Sequence, residues 1–434
     1  MNFDIYRQTL EQTQTIVHKG KVDKIIGLVI ESTGPRANIG EVCNIFTPDG
    51  VRSIKAEVVG FKEDKVLLMP FEDLNGIGPG SMVESTGSVL KIPVGDRLIG
   101  RIINGFGVPI DGMEDFCGMA DYSVQNIPSN PLERPRIDTR IHFGIKAIDG
   151  LLTCGRGQRM GIFSGSGVGK STLLGMIARN IESDVNVIAL VGERGREVRD
   201  FIEKDLGPEG MKKSIMVVAT SDQPAMMRLK SALVATTIAE YFRDQGRHVL
   251  LMMDSLTRFA MAQREIGLAI GEPPVARGYT PSIYSMLPKL LERSGNFRKG
   301  SITGIYTVLV DGDDLNEPIT DTVRGIIDGH IVLSRAIAMR NHYPAIDILG
   351  SISRLMDEIV DTEHVNMAGE IRKILSVYYK NLDLVSIGAY KPGSNPDLDR
   401  ALNSIEGINT FLTQGVYENF SYEHTIGIMK ELIN

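Results

Sequence analysis

The segment Arg159-Met-Gly-Ile-Phe-Ser-Gly-Ser-Gly-Val-Gly-Lys-Ser-Thr172 constrains this chain more than any other. An apolar β-type run enters a loop with glycine at 165, 167 and 169, and a helical pattern through Leu173, Leu174 and Ile177 leaves it. Glycines in such a strand, loop and helix let backbone N–H groups turn inward around phosphate oxygens at the positive end of the helix. In that reading Gly165, Ser166, Gly167, Val168, Gly169 and Thr172 belong to the cradle, Lys170 places a point charge on the β- and γ-phosphates, and the Ser171 hydroxyl serves Mg2+. Ser164 stands where the first glycine of GxxxxGK[ST] belongs. That position only enters the loop, so the change is read as tolerated.

A loop of this kind needs a parallel sheet around it. Apolar runs at 160–164, 185–191, 215–220, 249–253, 301–310 and 330–333 alternate with helical patterns, as expected when strands are apolar on both faces and helices cover them. The α/β core is therefore placed at 141–355. Before it, residues 20–93 are short β-rich runs separated by Gly, Asp and Asn turns, which a small β-barrel would close without leaving a sheet edge. Residues 94–140 are rich in turns and prolines and read as a linker. Residues 356–434 read as a small helical domain with one Gly/Pro/Asn interruption at 391–396. At the start, Phe3, Tyr6, Leu10, Thr13 and Val17 recur at steps of three and four, so residues 1–19 are expected to carry an amphipathic helix that packs on its own protein or docks a partner.

Two acids end strands of this core. Asp254 follows the apolar run ending in Met253, the usual text of a strand whose carboxylate holds Mg2+ through water. Glu193 follows 185–191 and faces the crevice where open α/β sheets bind ligands. It can orient and deprotonate an attacking water, or serve as a surface ion-pair residue.

Composition narrows the partners. With 434 residues and 42% hydrophobic content the chain can bury several cores, and a net charge of −7 without a basic block gives no general attraction for phosphate backbones. No nucleic acid partner is expected. Three dispersed cysteines without CxxC spacing suggest neither a disulfide framework nor a zinc site, and seven histidines show no ligand spacing. The start has no basic and apolar leader, and no apolar run reaches the ~18–20 residues that span a bilayer. A reducing cytoplasm fits best, and any work at a membrane must be done from its surface.

These elements, with Pro93-Val-Gly-Asp-Arg-Leu-Ile-Gly-Arg101, Ile148-Asp-Gly-Leu151 and Tyr343-Pro-Ala-Ile-Asp347, resemble the catalytic subunit of rotary ATP synthases. Gly192-Glu-Arg-Gly-Arg-Glu-Val198, Asp254-Ser-Leu-Thr-Arg-Phe-Ala-Met-Ala-Gln-Arg264 and Ile387-Gly-Ala-Tyr-Lys-Pro-Gly-Ser-Asn-Pro396 bring it nearer to the type III secretion ATPase family, its flagellar export branch in particular. The resemblance implies a RecA-like core between barrel and helical domain, ATP and Mg2+ as ligands, and a homohexamer with nucleotide held between neighbours. It assigns Lys170 and Ser171 to phosphate and metal, Glu193 to water activation, Arg194 to the γ-phosphate region and Asp254 to the metal. Tyr343 looks like the adenine-stacking tyrosine, the alternative being a buried aromatic in a proline turn. Arg354 looks like an arginine finger given to the adjacent site, the alternative being an intrasubunit ion pair. The acidic loop 310–318 resembles one that lines the ring's central hole and meets a coiled-coil stalk protein, although an exposed acidic turn explains it as well. The same family implies a stator-like regulator at the N-terminal helix, export-gate membrane proteins, chaperone–substrate complexes and a place at the cytoplasmic face of the inner membrane.

Three rivals remain on the residues: a non-catalytic ring subunit, which would lack the acid at 193; an RNA translocase, which would need a basic or aromatic surface; and a rotary synthase subunit, whose acidic C-terminal segment is absent. Ser164-Gly-Ser-Gly167 and Gly175-Met-Ile-Ala-Arg179 favour the flagellum over a virulence needle.

Overall fold

The computed structural model describes residues 17–116, 118–310, 312 and 314–433. The helix expected over 1–19 falls on residues outside these, except that Lys19 opens a strand.

Six strands close a barrel: β1 (Lys19–Ile26), β2 (Val29–Thr33), β3 (Glu41–Phe46), β4 (Ser53–Lys62), β5 (Lys65–Pro70) and β6 (Met82–Val89), in the order β1-β2-β5-β4-β3-β6. Lys19 pairs with Glu84 to complete the circle. Alternate residues of the strands point inward, as Ile54, Ala56 and Val58 do, so the β-type runs read in the sequence supply the barrel's own core.

The central sheet contains β7 (Ile102–Asn104), β8 (Arg159–Ser164), β9 (Val185–Glu193), β10 (Ser214–Thr220), β11 (His248–Asp254), β12 (Gly295–Phe297), β13 (Gly300–Leu309), β14 (Gly329–Leu333) and β15 (Ile346–Ser353). Among the described residues its order is β15-β14-β8-β13-β11-β9-β10-β7, with β12 a hairpin partner of β13. Strands β7 to β11, β13 and β14 pair in parallel, and β15 runs antiparallel to β14. All six runs expected from the sequence are strands here. Three further strands appear: β12, β15, and β7, which comes from the stretch 94–140 and pairs Met216 with Ile102.

Parallel strands need crossovers, and helices supply them on both faces. One face is covered by α3 (Ala225–Asp244) and α4 (Leu256–Ala269), whose small buried residues Ala232, Ala235 and Ala239 allow close approach to the sheet. That apolar cluster runs on without a break into Leu67 on the barrel and Phe71 and Ile92 beside it. The other face is covered by α1 (Lys170–Asn180) and the C-terminal helices α5 (Thr362–Lys380), α6 (Pro396–Leu412) and α7 (Tyr422–Ile433). Between α1 and α3, α2 (Gly195–Asp200) follows directly on β9. The interruption at 391–396 has a local cause: the Asn395 side chain accepts from the N–H groups of Asp397 and Leu398, and Pro396 opens α6.

The stretch 94–140 is also fastened by charge. Arg293 and Glu240, 3% and 5% exposed in their side chains, form a bidentate pair at 2.7 and 2.8 Å, and Asn126 donates to the same carboxylate at 2.7 Å. Removing one member of a buried pair strands the other's charge. Glu240→Ala should therefore lower unfolding stability by roughly 3–5 kcal/mol. Urea melts followed by circular dichroism check this, and a loss well under 1 kcal/mol would place the pair in contact with water.

Candidate active site

The phosphate loop leaves β8 at Ser164 and enters α1 at Lys170. Ser166 and Gly167 are exposed while Val168 is buried, so the loop is pinned at its middle and open at its rim. Gly169 has φ +87°, a conformation that favours glycine, and the Tyr343 ring lies 3.4 Å from where a Cβ would stand. Ser171 is exposed at the start of α1, and the Thr172 hydroxyl bonds Asp205.

Sheet order decides which side chains meet. Strand β13 lies between β8 and β11, and β9 follows β11, so the loop after β8 faces two carboxylates at strand C-termini. Lys170 Nζ lies 2.5 Å from Asp254 Oδ1 and 3.7 Å from Glu193 Oε1. Asp254 is 4% exposed, and its Oδ1 also accepts from Thr307 Oγ1 at 2.7 Å. Burial works against the Lys170 ammonium, but the two carboxylates outweigh it and raise its pKa. Glu193 is pushed up to about 7, by burial first and then by Asp254, with Lys170 pulling the other way and Glu197 sharing a hydrogen bond.

The remaining sequence candidates separate. Tyr343, 40% exposed, stands beside Gly169, and its carbonyl accepts from the Gln414 N–H at 2.9 Å. Arg194 sits at the rim before α2 with its side chain 79% exposed and 3.3 Å from Glu197. Arg354 is not at this site. Its N–H donates to Asp328 O and the Asp328 N–H to Arg159 O, which places it at the opposite end of β8, a strand length of about 17 Å from the loop at about 3.3 Å per residue. It is exposed, and its guanidinium donates to Arg324 O at 3.1 Å.

Three residues at the site escaped the sequence reading. Arg258 packs its chain against Gly192, and its Nε is buried without a hydrogen-bond partner among the described residues. Glu197 could have been found from its place in the first turn of the helix that follows Glu193. Gln414, which ties Tyr343 to Gly144 and Lys146, lies too far along the chain for any local signal.

The residues fit a hydrated Mg2+. Two carboxylates converge beside a phosphate loop with one ammonium between them, which leaves a net negative charge once Glu193 ionises, and the Ser171 hydroxyl is close by in sequence. Among the described residues no cluster of three or more His, Cys, Asp or Glu side chains forms a cage. Mg2+ bound with phosphates and water does not need one.

A barrel, a parallel-sheet core with a phosphate loop and acids at the strand ends, and a helical cap define a RecA-like P-loop nucleotide-binding protein. The model for the "ATP synthase alpha/beta family, nucleotide-binding domain" matches residues 144–353, and that family's β-barrel model matches 22–87. The "T3SS EscN ATPase C-terminal domain" model matches 360–431. The chain belongs to the ATP synthase alpha/beta family, in its type III secretion ATPase branch. It is 55% identical over 424 residues to the flagellum-specific ATP synthase of Bacillus subtilis (strain 168), covering 98% of this chain and 97% of that one. Among solved structures it resembles the assembled ATPase EscN of the enteropathogenic E. coli type III secretion system, with a TM-score of 0.91 and 47% identity over 96% of this chain and 100% of that one. EscN in complex with its central stalk EscO gives a TM-score of 0.89 at the same identity and coverage.

The raised Glu193 pKa has a measurable sign. The folded protein keeps this proton to a higher pH than the unfolded chain does, so ionising Glu193 costs stability as pH rises from 4.5 through about 7. Glu193→Gln carries no such cost. It should melt higher than the parent above about pH 7, and the gap should close as pH falls towards 4.5. Calorimetry across that range checks it; a gap that does not change with pH would place the Glu193 carboxyl at its ordinary pKa.

Proposed function

We propose that this P-loop ATPase works as a Mg2+-dependent homohexameric ring that energises flagellar type III protein export, unfolding substrates or releasing them from chaperones at the export gate. The observation that carries the chemistry is Lys170 held between Asp254 and Glu193 at the mouth of a phosphate loop. The flagellar assignment is supported by the Bacillus subtilis relative at 55% identity, against 47% for EscN, the virulence-type alternative.

In this reading the loop N–H groups and Lys170 hold the phosphates of ATP, and Tyr343 stacks on the adenine beside Gly169. Asp254 and Ser171 hold the Mg2+ shell, and the metal, when bound, neutralises phosphate charge. Glu193, with a pKa near the working pH, takes the proton of the attacking water. Arg194 reaches inward to the γ-phosphate region from its exposed position. Arg354, on the far side of its own sheet and exposed, completes the site of the adjacent subunit. Its separation from its own loop supports this, and among the described residues no carboxylate pairs with it.

The partners follow the same reading. EscN is solved with a central stalk, EscO, and a stalk protein is proposed here to meet the acidic loop 310–318. A stator-like regulator would bind the N-terminal segment, and export-gate membrane proteins would receive the ring at the inner membrane's cytoplasmic face. No helix among the described residues is long and apolar enough to cross a membrane, in keeping with a peripheral place.

Mixed rings test the reading. Lys170→Ala and Arg354→Ala should each abolish turnover, and an arginine finger is worth on the order of 10³–10⁵ in rate. Mixing the two variants should restore part of the activity, because some interfaces pair an intact loop with an intact arginine. An inactive mixture in which native mass spectrometry detects mixed rings would remove Arg354 from the neighbour's site. Glu193→Gln should keep Mg-ATP binding while losing about 10²-fold or more in turnover; equal loss of both would make it a structural acid.

A further inference from the structure

Asp254 Oδ1 has two donors, Lys170 Nζ at 2.5 Å and Thr307 Oγ1 at 2.7 Å. They differ in permanence. Lys170 belongs to the phosphate loop, and in the function proposed above its ammonium moves onto the β- and γ-phosphates when ATP binds. That step takes one of the two donors away from a carboxylate that is 4% exposed and has little water to replace it.

Thr307 cannot leave. It is fully buried on β13, and because Met253 faces Tyr306 in the parallel ladder, Asp254 and Thr307 follow side by side. A β-branched side chain on a strand has few χ1 alternatives, so the hydroxyl is held where the ladder puts it. The end of the strand is tied down as well: the Leu309 N–H donates to Thr257 Oγ1 at 2.8 Å and the Val310 N–H to Ser164 O at 3.0 Å. Met253 O is a second acceptor within reach of Thr307, at 3.3 Å, but the carboxylate is nearer and charged and makes the stronger bond. The run Ile305-Tyr-Thr-Val-Leu309 is otherwise suited to an apolar strand, and burying a hydroxyl in it is unfavourable unless the hydroxyl has a partner. Its partner is the acid that faces the metal.

We infer that Thr307 is a positioning residue for ATP hydrolysis. It keeps Oδ1 of Asp254 in place after Lys170 has gone to the phosphates, so that Oδ2 stays available to the water shell of Mg2+ and the carboxylate does not rotate after the departing ammonium. This deepens the Mg2+-dependent reading of the same site and rests on it.

Thr307→Val removes the hydroxyl at nearly constant shape, and Thr307→Ser restores it. The readout is the affinity of the full chain for a fluorescent ADP analogue, with Mg2+ and with a chelator. In the parent, Mg2+ should tighten binding. In Thr307→Val that tightening should shrink by about tenfold, or about 1.4 kcal/mol, while affinity in chelator stays within about twofold. Thr307→Ser should keep most of the Mg2+ effect. Thr307→Ala gives the same comparison if the valine variant fails to fold in a thermal melt. Full Mg2+ tightening in Thr307→Val overturns the inference and leaves the ATPase reading intact, and so does a loss in Thr307→Ser equal to that in Thr307→Val. A parent whose ADP affinity ignores Mg2+ overturns the metal reading and the inference with it.

Discussion

One ammonium held between a buried carboxylate and a half-buried one sets the terms for the rest of the molecule. For Lys170 to stand 2.5 Å from Asp254 and 3.7 Å from Glu193, the C-terminal ends of β8, β11 and β9 must come to one edge of one sheet. Only parallel strands bring C-termini together, and parallel strands demand long crossovers that helices fill. The charge does not balance inside this triad. Burial first, and then the charge of Asp254, make ionisation of Glu193 costly, which is why it holds its proton to about 7. Such a site favours the arrival of further positive charge.

Much of this was legible in the sequence, because glycine spacing and apolar runs are local signals. The loop at 165–172, the six core strands and the acids at 193 and 254 are each written within a few residues. The barrel could be read from its short runs for the same reason. What stayed hidden depends on distance along the chain. Strand β7 is three residues long, too short for any periodicity, and it lies in a stretch full of turn signals. Strand β15 mixes buried and exposed positions around Gly350, so its pattern is not that of a central strand. Arg258 and Gln414 acquire their places only when helices and loops from other parts of the chain pack against the site.

The sheet also separates two functions in space. The phosphate loop lies at one end of β8, while Arg354 is tied through Asp328 to Arg159 at the other. In the function proposed above, a single subunit thus carries parts of two different catalytic centres and brings only one of them near its own nucleotide. Contacts of this kind are head-to-tail, and they close into a ring only if the angle between neighbours allows it.

Strand β7 carries a mechanical meaning beyond its size. It follows the barrel in the chain, yet it is hydrogen-bonded into the edge of the catalytic sheet beside β10, and Ile103 is buried in the same apolar cluster as Phe71 and Val217. A barrel on a slack tether would swing freely and absorb any pull as slack. Here a load applied to the barrel meets shear across a parallel ladder and a continuous apolar contact, both of which resist sliding. Barrel and sheet are therefore fastened to each other twice, and sliding one past the other would have to break both the ladder and the apolar contact.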